Sequence, residues 1–261
     1  MDALQLLVIE HETQCPPAWL GEWLTEGGAE LDVRRPYAGD ALPADLTAHD
    51  GMVVLGGEMG ANDDEAHPWL SRVKDLVRGA AGEGTPVLGI CLGHQLAAVA
   101  LGGEVERNPA GQQIGVLDVG WTGAAADDPL LGSLAARAAT TAERPAVPAV
   151  QWNMDVVTRL PPGAVELARA PTGELQAARL ATSVWGVQWH PEVGAEIIGA
   201  WADHDRDDAQ ERGLDLDAYV EQVAAARERL RSTWPELADR FTAICREASG
   251  TAERPEPAAR T

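Results

Sequence analysis

Leu4-Gln5-Leu6-Leu7-Val8-Ile9 is a short, nearly unbroken apolar run, the pattern of a strand buried on both faces. From Pro16 to Leu24 the period changes, and Trp19, Leu20, Trp23 and Leu24 fall on one helical stripe. Ala29 to Arg35 predicts a second strand, and Met52-Val53-Val54-Leu55 a third that runs straight into Gly56-Gly57. Pro68 to Arg78 is amphipathic, with Trp69, Leu70, Val73, Leu76 and Val77 at helical spacing. Pro86 to Ile90 then predicts a buried strand and Leu92 to Leu101 a helix. Strand and helix alternate throughout, which implies a parallel sheet with helices on both faces, an α/β fold.

After Gly102-Gly103 the texture changes. Val105–Asn108, Ile114–Trp121, Ala149–Trp152, Val165–Ala168, Leu175–Leu180 and Val184–Trp189 predict short strands, with turns at Pro161-Pro162-Gly163 and Pro171-Thr172-Gly173. Such close spacing suggests antiparallel additions or a small antiparallel side sheet. Ala124 to Pro148, rich in Ala, Asp and Pro, predicts a surface loop with a short helix. From Val193 on no strand pattern remains. Ile197, Ile198 and Trp201 predict a helix, Asp203–Asp208 a charge-rich break, Leu216–Leu230 a helix, and Thr233 the N-cap of a restart at Trp234-Pro235-Glu236. The expected division is a catalytic α/β domain over 1–201, a helical extension over 202–248 and a frayed tail over 249–261.

Composition narrows the function. At 261 residues, 45% hydrophobic and 23% charged, the chain has the apolar content of a folded domain. Its 41 acidic and 20 basic residues give a net charge of -21, which repels phosphate backbones and anionic lipid and argues against nucleic acid or membrane as partners. Cys15, Cys91 and Cys245 are odd in number and far apart, with no CxxC. The set suits neither a disulfide framework nor a zinc site, so no metal is expected and a reducing cytoplasm fits best. The opening Met1-Asp2-Ala3-Leu4-Gln5 has no basic leader pattern, and the apolar runs are too short for a bilayer.

The strongest chemical signal is Gly89-Ile90-Cys91-Leu92-Gly93-His94-Gln95. A strand ends on Cys91, a helix begins at once, and glycines stand two before and two after the cysteine, the spacing of a nucleophile elbow. A helix N-terminus favours the thiolate, and the Leu92 N–H could bind an oxyanion. The competing reading is an inert core thiol, since cysteine is among the most buried residue types; Cys15 and Cys245, without glycine flanks, read that way. A second signal is Gln188-Trp189-His190-Pro191-Glu192, where a strand ends on His190 and Glu192 could hold the other ring nitrogen. His11, His49, His67, His94 and His204 have no such context, and His94 is expected to pack or cap. Both motifs fall at strand carboxyl ends, where open α/β sheets bind ligands. A weaker third signal is Gly56-Gly57 at the same edge, whose amides could approach a substrate carbonyl.

Together these motifs resemble the class I, triad-type glutamine amidotransferase domain, in particular stand-alone proteins similar to the amidotransferase half of GMP synthase. Glu58-Met59-Gly60 and His67-Pro68-Trp69 resemble its oxyanion loop, and the likeness spans about residues 4–201. The resemblance implies a flavodoxin-like, open, mostly parallel sheet. It implies that Cys91 attacks the side-chain amide of glutamine to give a γ-glutamyl thioester. His190 would move the protons, Glu192 would orient His190, and the Gly57 and Leu92 amides would hold the oxyanion. Gly56, Gln95, Asn153 and Asp155 would line the substrate pocket. No cofactor is implied, and ammonia would pass to a separate synthase subunit. Two departures bear on the substrate: Asn153 stands where that branch usually has histidine, and Gln112-Gln113 where an Arg-Glu pair is common. No GxxxxGK[ST] or GxGxxG nucleotide fingerprint is present. The alternatives are a stand-alone hydrolase of another γ-glutamyl amide and a non-catalytic regulatory protein on the same fold; intact Cys91, His190 and Glu192 weigh against the latter.

Overall fold

The computed structural model describes residues 3–139 and 147–251. The first half alternates as the pattern predicts: β1 (Leu4–Ile9), α1 (Ala18–Glu26), β2 (Ala29–Arg34), β3 (Gly51–Val54), α2 (Trp69–Glu83), β4 (Val87–Ile90) and α3 (Leu92–Ala100). Helix α2 continues five residues past the expected end. Gly79 and Gly82 lie on its open face, Ala80 is buried, and the helix stops at Gly84, whose φ of 79° suits a left-handed cap. Next come β5 (Glu104–Arg107), β6 (Gln113–Asp118), α4 (Gly132–Ala139), β7 (Pro148–Asn153), β8 (Asp155–Arg159), β9 (Val165–Arg169), β10 (Leu175–Ala181) and β11 (Val184–Val187). Helices α5 (Ala195–His204), α6 (Arg206–Glu211), α7 (Leu216–Thr233) and α8 (Pro235–Thr251) close the described chain. No helix among the described residues is long and apolar enough to cross a membrane.

Seven strands form one sheet in the order β2-β1-β3-β4-β11-β10-β9. The first five are parallel, and β10 and β9 add antiparallel at one edge. The antiparallel pairs β5–β8 and β6–β7 stand apart, so both expected kinds of addition occur. Strand β8 was not foreseen; its five residues lie between the β7 run and Pro161-Pro162 and pair with β5.

The alternation of β1 shows why both faces are covered. Leu6 and Val8 pack with Leu20 and Leu24 of α1 and with Leu230, Trp234, Leu237 and Phe241 of the C-terminal helices. Leu7 and Ile9 pack on the other side with Leu70, Val73 and Val77 of α2 and Leu96 of α3. The C-terminal helices are thus part of the main core. Trp234 is fully buried, its ring centroid 5.2 Å from that of Trp189, and its indole N–H donates to the Pro148 carbonyl at 3.0 Å.

Several local expectations need correction. The stretch 124–148 is not merely surface: Asp128 accepts from the N–H groups of Leu130 and Leu131, and Leu130, Leu131 and Leu134 enter the core; residues 140–146 lie outside the described residues. The break at 203–208 shrinks to Asp205, because Arg206 starts α6 and pairs with Asp203 at 2.8 Å. Thr233 is no N-cap; its hydroxyl donates to the Arg229 carbonyl one turn back, inside α7. Of the tail, Ser249 is held in α8 by donation to Asp50, and residues 252–261 lie outside the described residues.

Candidate active site

The elbow is built by steric necessity. A Cβ on Gly89 would lie 2.5 Å from the Gly93 carbonyl, and one on Gly93 would lie 2.0 Å from the Val54 oxygen. Only glycine at both places lets α3 press its first turn against β3 and β4. The turn between them forces Cys91 to φ 49°, a left-handed conformation that costs a side-chain-bearing residue about 1–3 kcal/mol. Two backbone bonds hold it there: Cys91 N–H to Val187 at 2.8 Å, and Gln95 N–H to the Cys91 carbonyl at 3.1 Å.

His190 arrives from the neighbouring strand. Its N–H donates to the Val150 carbonyl at 2.8 Å, just beyond β11. The ring Nδ1–H donates to Glu192 Oε1 at 2.7 Å, and both side chains are buried. That leaves Nε2 for Cys91. Burial alone would lower the imidazole pKa, but the Glu192 carboxylate and Cys91 outweigh it and hold the ring protonated well above the usual histidine range. Gly56 sits behind this ring: a Cβ there would be 2.9 Å from His190 Cε1. Trp201 meets the ring edge-on at 4.8 Å.

A cleft of about 480 Å³ opens over these groups. Of the expected site residues, Cys91, His190, Gly57, Gln95, Asn153 and Asp155 line it. Gly56, Leu92 and Glu192 lie behind the lining. Sequence reasoning missed Glu12, Trp152, Trp201 and His204, all on the walls. Glu12 follows the carboxyl end of β1, an edge where a ligand site is expected, so that signal was available. Trp201 and His204 come from α5, which no local pattern ties to the cleft. His204 pairs with Glu58 at 3.2 Å across the mouth. Cys15, read as structural, is buried yet also lines the cleft; its thiol donates to Glu12 Oε1 at 2.9 Å, and burial followed by the Glu12 charge pushes its pKa far up. Cys245 is a core thiol. His94 packs, as expected: it is fully buried against Gly186, and neither ring nitrogen has a partner. No group of three or more His, Cys, Asp or Glu suited to a metal occurs among the described residues.

The two departures noted in the sequence meet in space. Asn153 Nδ2 donates to Gln113 Oε1 at 3.3 Å and to the Asp155 main-chain carbonyl at 3.1 Å. Gln95 Nε2 donates to the same carbonyl at 2.9 Å and to Gln188 Oε1 at 3.3 Å, while Gln188 Nε2 lies 3.4 Å from Cys91 Sγ. Gln188 stands in the quoted histidine motif, but no role was read for it. Its place two residues before His190, where an extended chain puts both on one side, was the available clue.

An elbow thiol beside a carboxylate-held imidazole, at the carboxyl edge of an open α/β sheet, is equipment for thiol-dependent acyl transfer. The comparisons with known proteins specify the family. The model of the class-I glutamine amidotransferase family matches residues 20–200, and the chain belongs to that family. It is 36% identical to the glutamine-hydrolyzing GMP synthase of Aeropyrum pernix over 62% of this chain but only 29% of that protein. It is also 36% identical to one subunit of the glutamine-hydrolyzing GMP synthase of Halobacterium salinarum, over 58% of this chain and 70% of that one. A gamma-glutamyl-L-1-hydroxyisopropylamide hydrolase of a Pseudomonas species is 31% identical over 71% of this chain and 64% of its own length. Among solved structures, a glutamine amidotransferase from Thermotoga maritima superposes with a TM-score of 0.78 at 25% identity, covering 92% of this chain and 99% of that one.

Proposed function

We propose that the chain hydrolyses a γ-glutamyl amide, glutamine in the first instance, through a covalent thioester. With the Cys91 proton already held on His190, Cys91 Sγ attacks the amide carbon as the thiolate. The carbonyl electrons move to oxygen, where the Gly57 and Leu92 amides receive them. As the intermediate collapses, the C–N bond breaks, and His190 returns the proton to nitrogen so that ammonia leaves. Water then adds to the thioester with His190 as base, releasing glutamate and the thiol. Glu192 keeps Nδ1–H donating, so Nε2 faces the sulfur. The observation that carries this reading is the 2.7 Å His190–Glu192 contact set against Cys91 across one cleft. The relatives that are single subunits of a GMP synthase support delivery of the ammonia to a separate synthase subunit.

A second reading has its own support: the same chemistry on a larger γ-glutamyl amide, without a partner. The hydrolase-like relative covers more of this chain than the synthase subunit does, and Asn153 with Gln113 alters the pocket. The test is release of ammonia from glutamine beside a panel of γ-glutamyl amides, with Cys91→Ala as blank. Cys91→Ala should fold with native circular dichroism and retain under about 1% of the rate, as loss of a covalent nucleophile requires. Turnover in that variant above a few per cent would refute the nucleophile assignment.

A further inference from the structure

The polarity of the amide chain behind Cys91 is not free. The Asp155 main-chain carbonyl can only accept, so the group that Gln95 presents to it at 2.9 Å must be its NH2. The same NH2 faces Gln188 at 3.3 Å, and the atom it meets there must be an acceptor, Oε1. Gln188 is then obliged to turn its own NH2 towards Cys91 Sγ, 3.4 Å away. Asn153, donating to the same carbonyl at 3.1 Å, fixes that carbonyl from a second side. Gln188 is fully buried and Gln95 nearly so, so neither amide can trade these partners for bulk water. Gln188 and His190 thus approach one sulfur from the same segment of chain, one with a neutral amide N–H and one with an imidazole.

From this we infer that Gln188 is a catalytic residue, its side-chain N–H stabilising the Cys91 thiolate, and that Gln95 is a positioning residue that sets which end of the Gln188 amide meets the sulfur. The inference deepens the amidase reading, because it rests on Cys91 as the nucleophile. It gives Gln95 a task besides the substrate contact expected from its place in the motif. Both N–H groups of Gln95 are committed to the relay, and only its Oε1 is left for the cleft that it lines. A donor is what the sulfur needs here. Buried negative charge is costly without hydrogen bonds, and a charge-assisted bond is roughly twice as strong as a neutral one.

The test is the pH profile of Cys91 alkylation by iodoacetamide in the full chain, read at the Cys91 peptide by mass spectrometry. It reports on the sulfur directly and needs no substrate. Gln188→Met keeps length and bulk but removes the donor; Gln188→Glu keeps the shape and presents acceptors only. Gln188→Met should slow alkylation at neutral pH by about three- to tenfold and move the half-maximal point of the profile up by about one unit, the scale of one hydrogen bond to a charged atom. Gln188→Glu should slow it further. Gln95→Met, which leaves the sulfur's neighbour in place but frees its amide to flip, should shift the profile in the same direction by less. In turnover, kcat should fall while KM for Gln188→Met stays within about twofold, because the lost contact is to the enzyme's own sulfur. A folded Gln188→Met whose alkylation profile superimposes on wild type overturns the proposal, even if turnover is lost. Should Gln188→Met fail to fold, an unshifted Gln95→Met profile has the same force. If the wild type hydrolyses no γ-glutamyl amide while the variants still shift the profile, the amidase reading fails and the relay stands.

Discussion

Glu192 holds His190 through one oxygen only: Oε1 accepts from Nδ1 at 2.7 Å, and Oε2 is buried without a partner. The carboxylate therefore orients and charges the ring without touching the reacting atoms, and the two residues should respond differently to substitution. His190→Ala should lower kcat by about 10²–10⁴-fold, the usual worth of a positioned acid–base group. Glu192→Gln, which can still accept through its amide oxygen, should cost less, because it only orients the ring that moves the proton. The opposite ranking in steady-state kinetics on the best γ-glutamyl amide would count against these roles. Residues at this scale were legible where a local rule constrained them. Cys91 stood out through its glycine flanks and His190 through the strand end and proline after it. Gln188 was hidden because its role depends on two further amides, one of them 93 residues away along the chain. Trp201 and His204 reach the cleft only through tertiary packing, whereas Glu12 could be placed from its position after β1.

At the scale of elements, the strand–elbow–helix unit β4–Cys91–α3 is held together by absent side chains. Gly93→Ala would set a Cβ 2.0 Å from the Val54 oxygen, a backbone atom that cannot rotate away. The helix start must then lift off β3, and the cost should reach several kcal/mol, the range of severe overpacking. Gly79→Ala offers the contrast. The position lies in the middle of α2, with nothing within 4 Å of the added Cβ. The same change there should stabilise by about 0.5–1 kcal/mol through helix propensity. Denaturant midpoints for the pair should thus move in opposite directions; a common loss would mean that the elbow glycines matter only as flexible residues. The contrast also shows what the sequence could disclose. The period of apolar residues located β1, β3, β4 and α1–α3, because each buries a face against a long, regular partner. It failed at β8, at Asp203–Asp208 and at Thr233, where a cross-strand partner, the Arg206–Asp203 pair and a bond to the Arg229 carbonyl decide the local structure.

For the molecule as a whole, acid should act through histidines before it acts through carboxylates. His11 and His94 are fully buried, and burial, reinforced for His11 by the charge of His67, lowers each to about 3 from 6.5. His11 uses Nδ1 to accept from the Trp69 indole at 3.1 Å, while His94 has no partner at all. Both are neutral in the folded chain and ordinary once unfolded. Below pH 6.5 the unfolded state therefore binds more protons, and stability falls as pH falls through the window from 6.5 towards 3. At pH 5 each should cost about 2 kcal/mol relative to neutral pH. His190 works in the other direction: its raised pKa contributes stability that is fully present below the unfolded value and is lost as pH rises through the folded one, so it cannot cause an acid loss. The net charge of -21 opposes the trend, since protonating carboxylates relieves self-repulsion. That relief arrives mainly below about pH 5, because free Asp and Glu titrate near 4. The interval from pH 7 to 5 thus isolates the histidines. Melting temperature should fall across it, and by less in His94→Gln, whose side chain does not titrate. At pH 7, where the acidic surface dominates, added salt should raise the melting temperature by screening. A melting temperature that rises from pH 7 to 5 would mean that self-repulsion, rather than buried imidazole, governs this chain in mild acid.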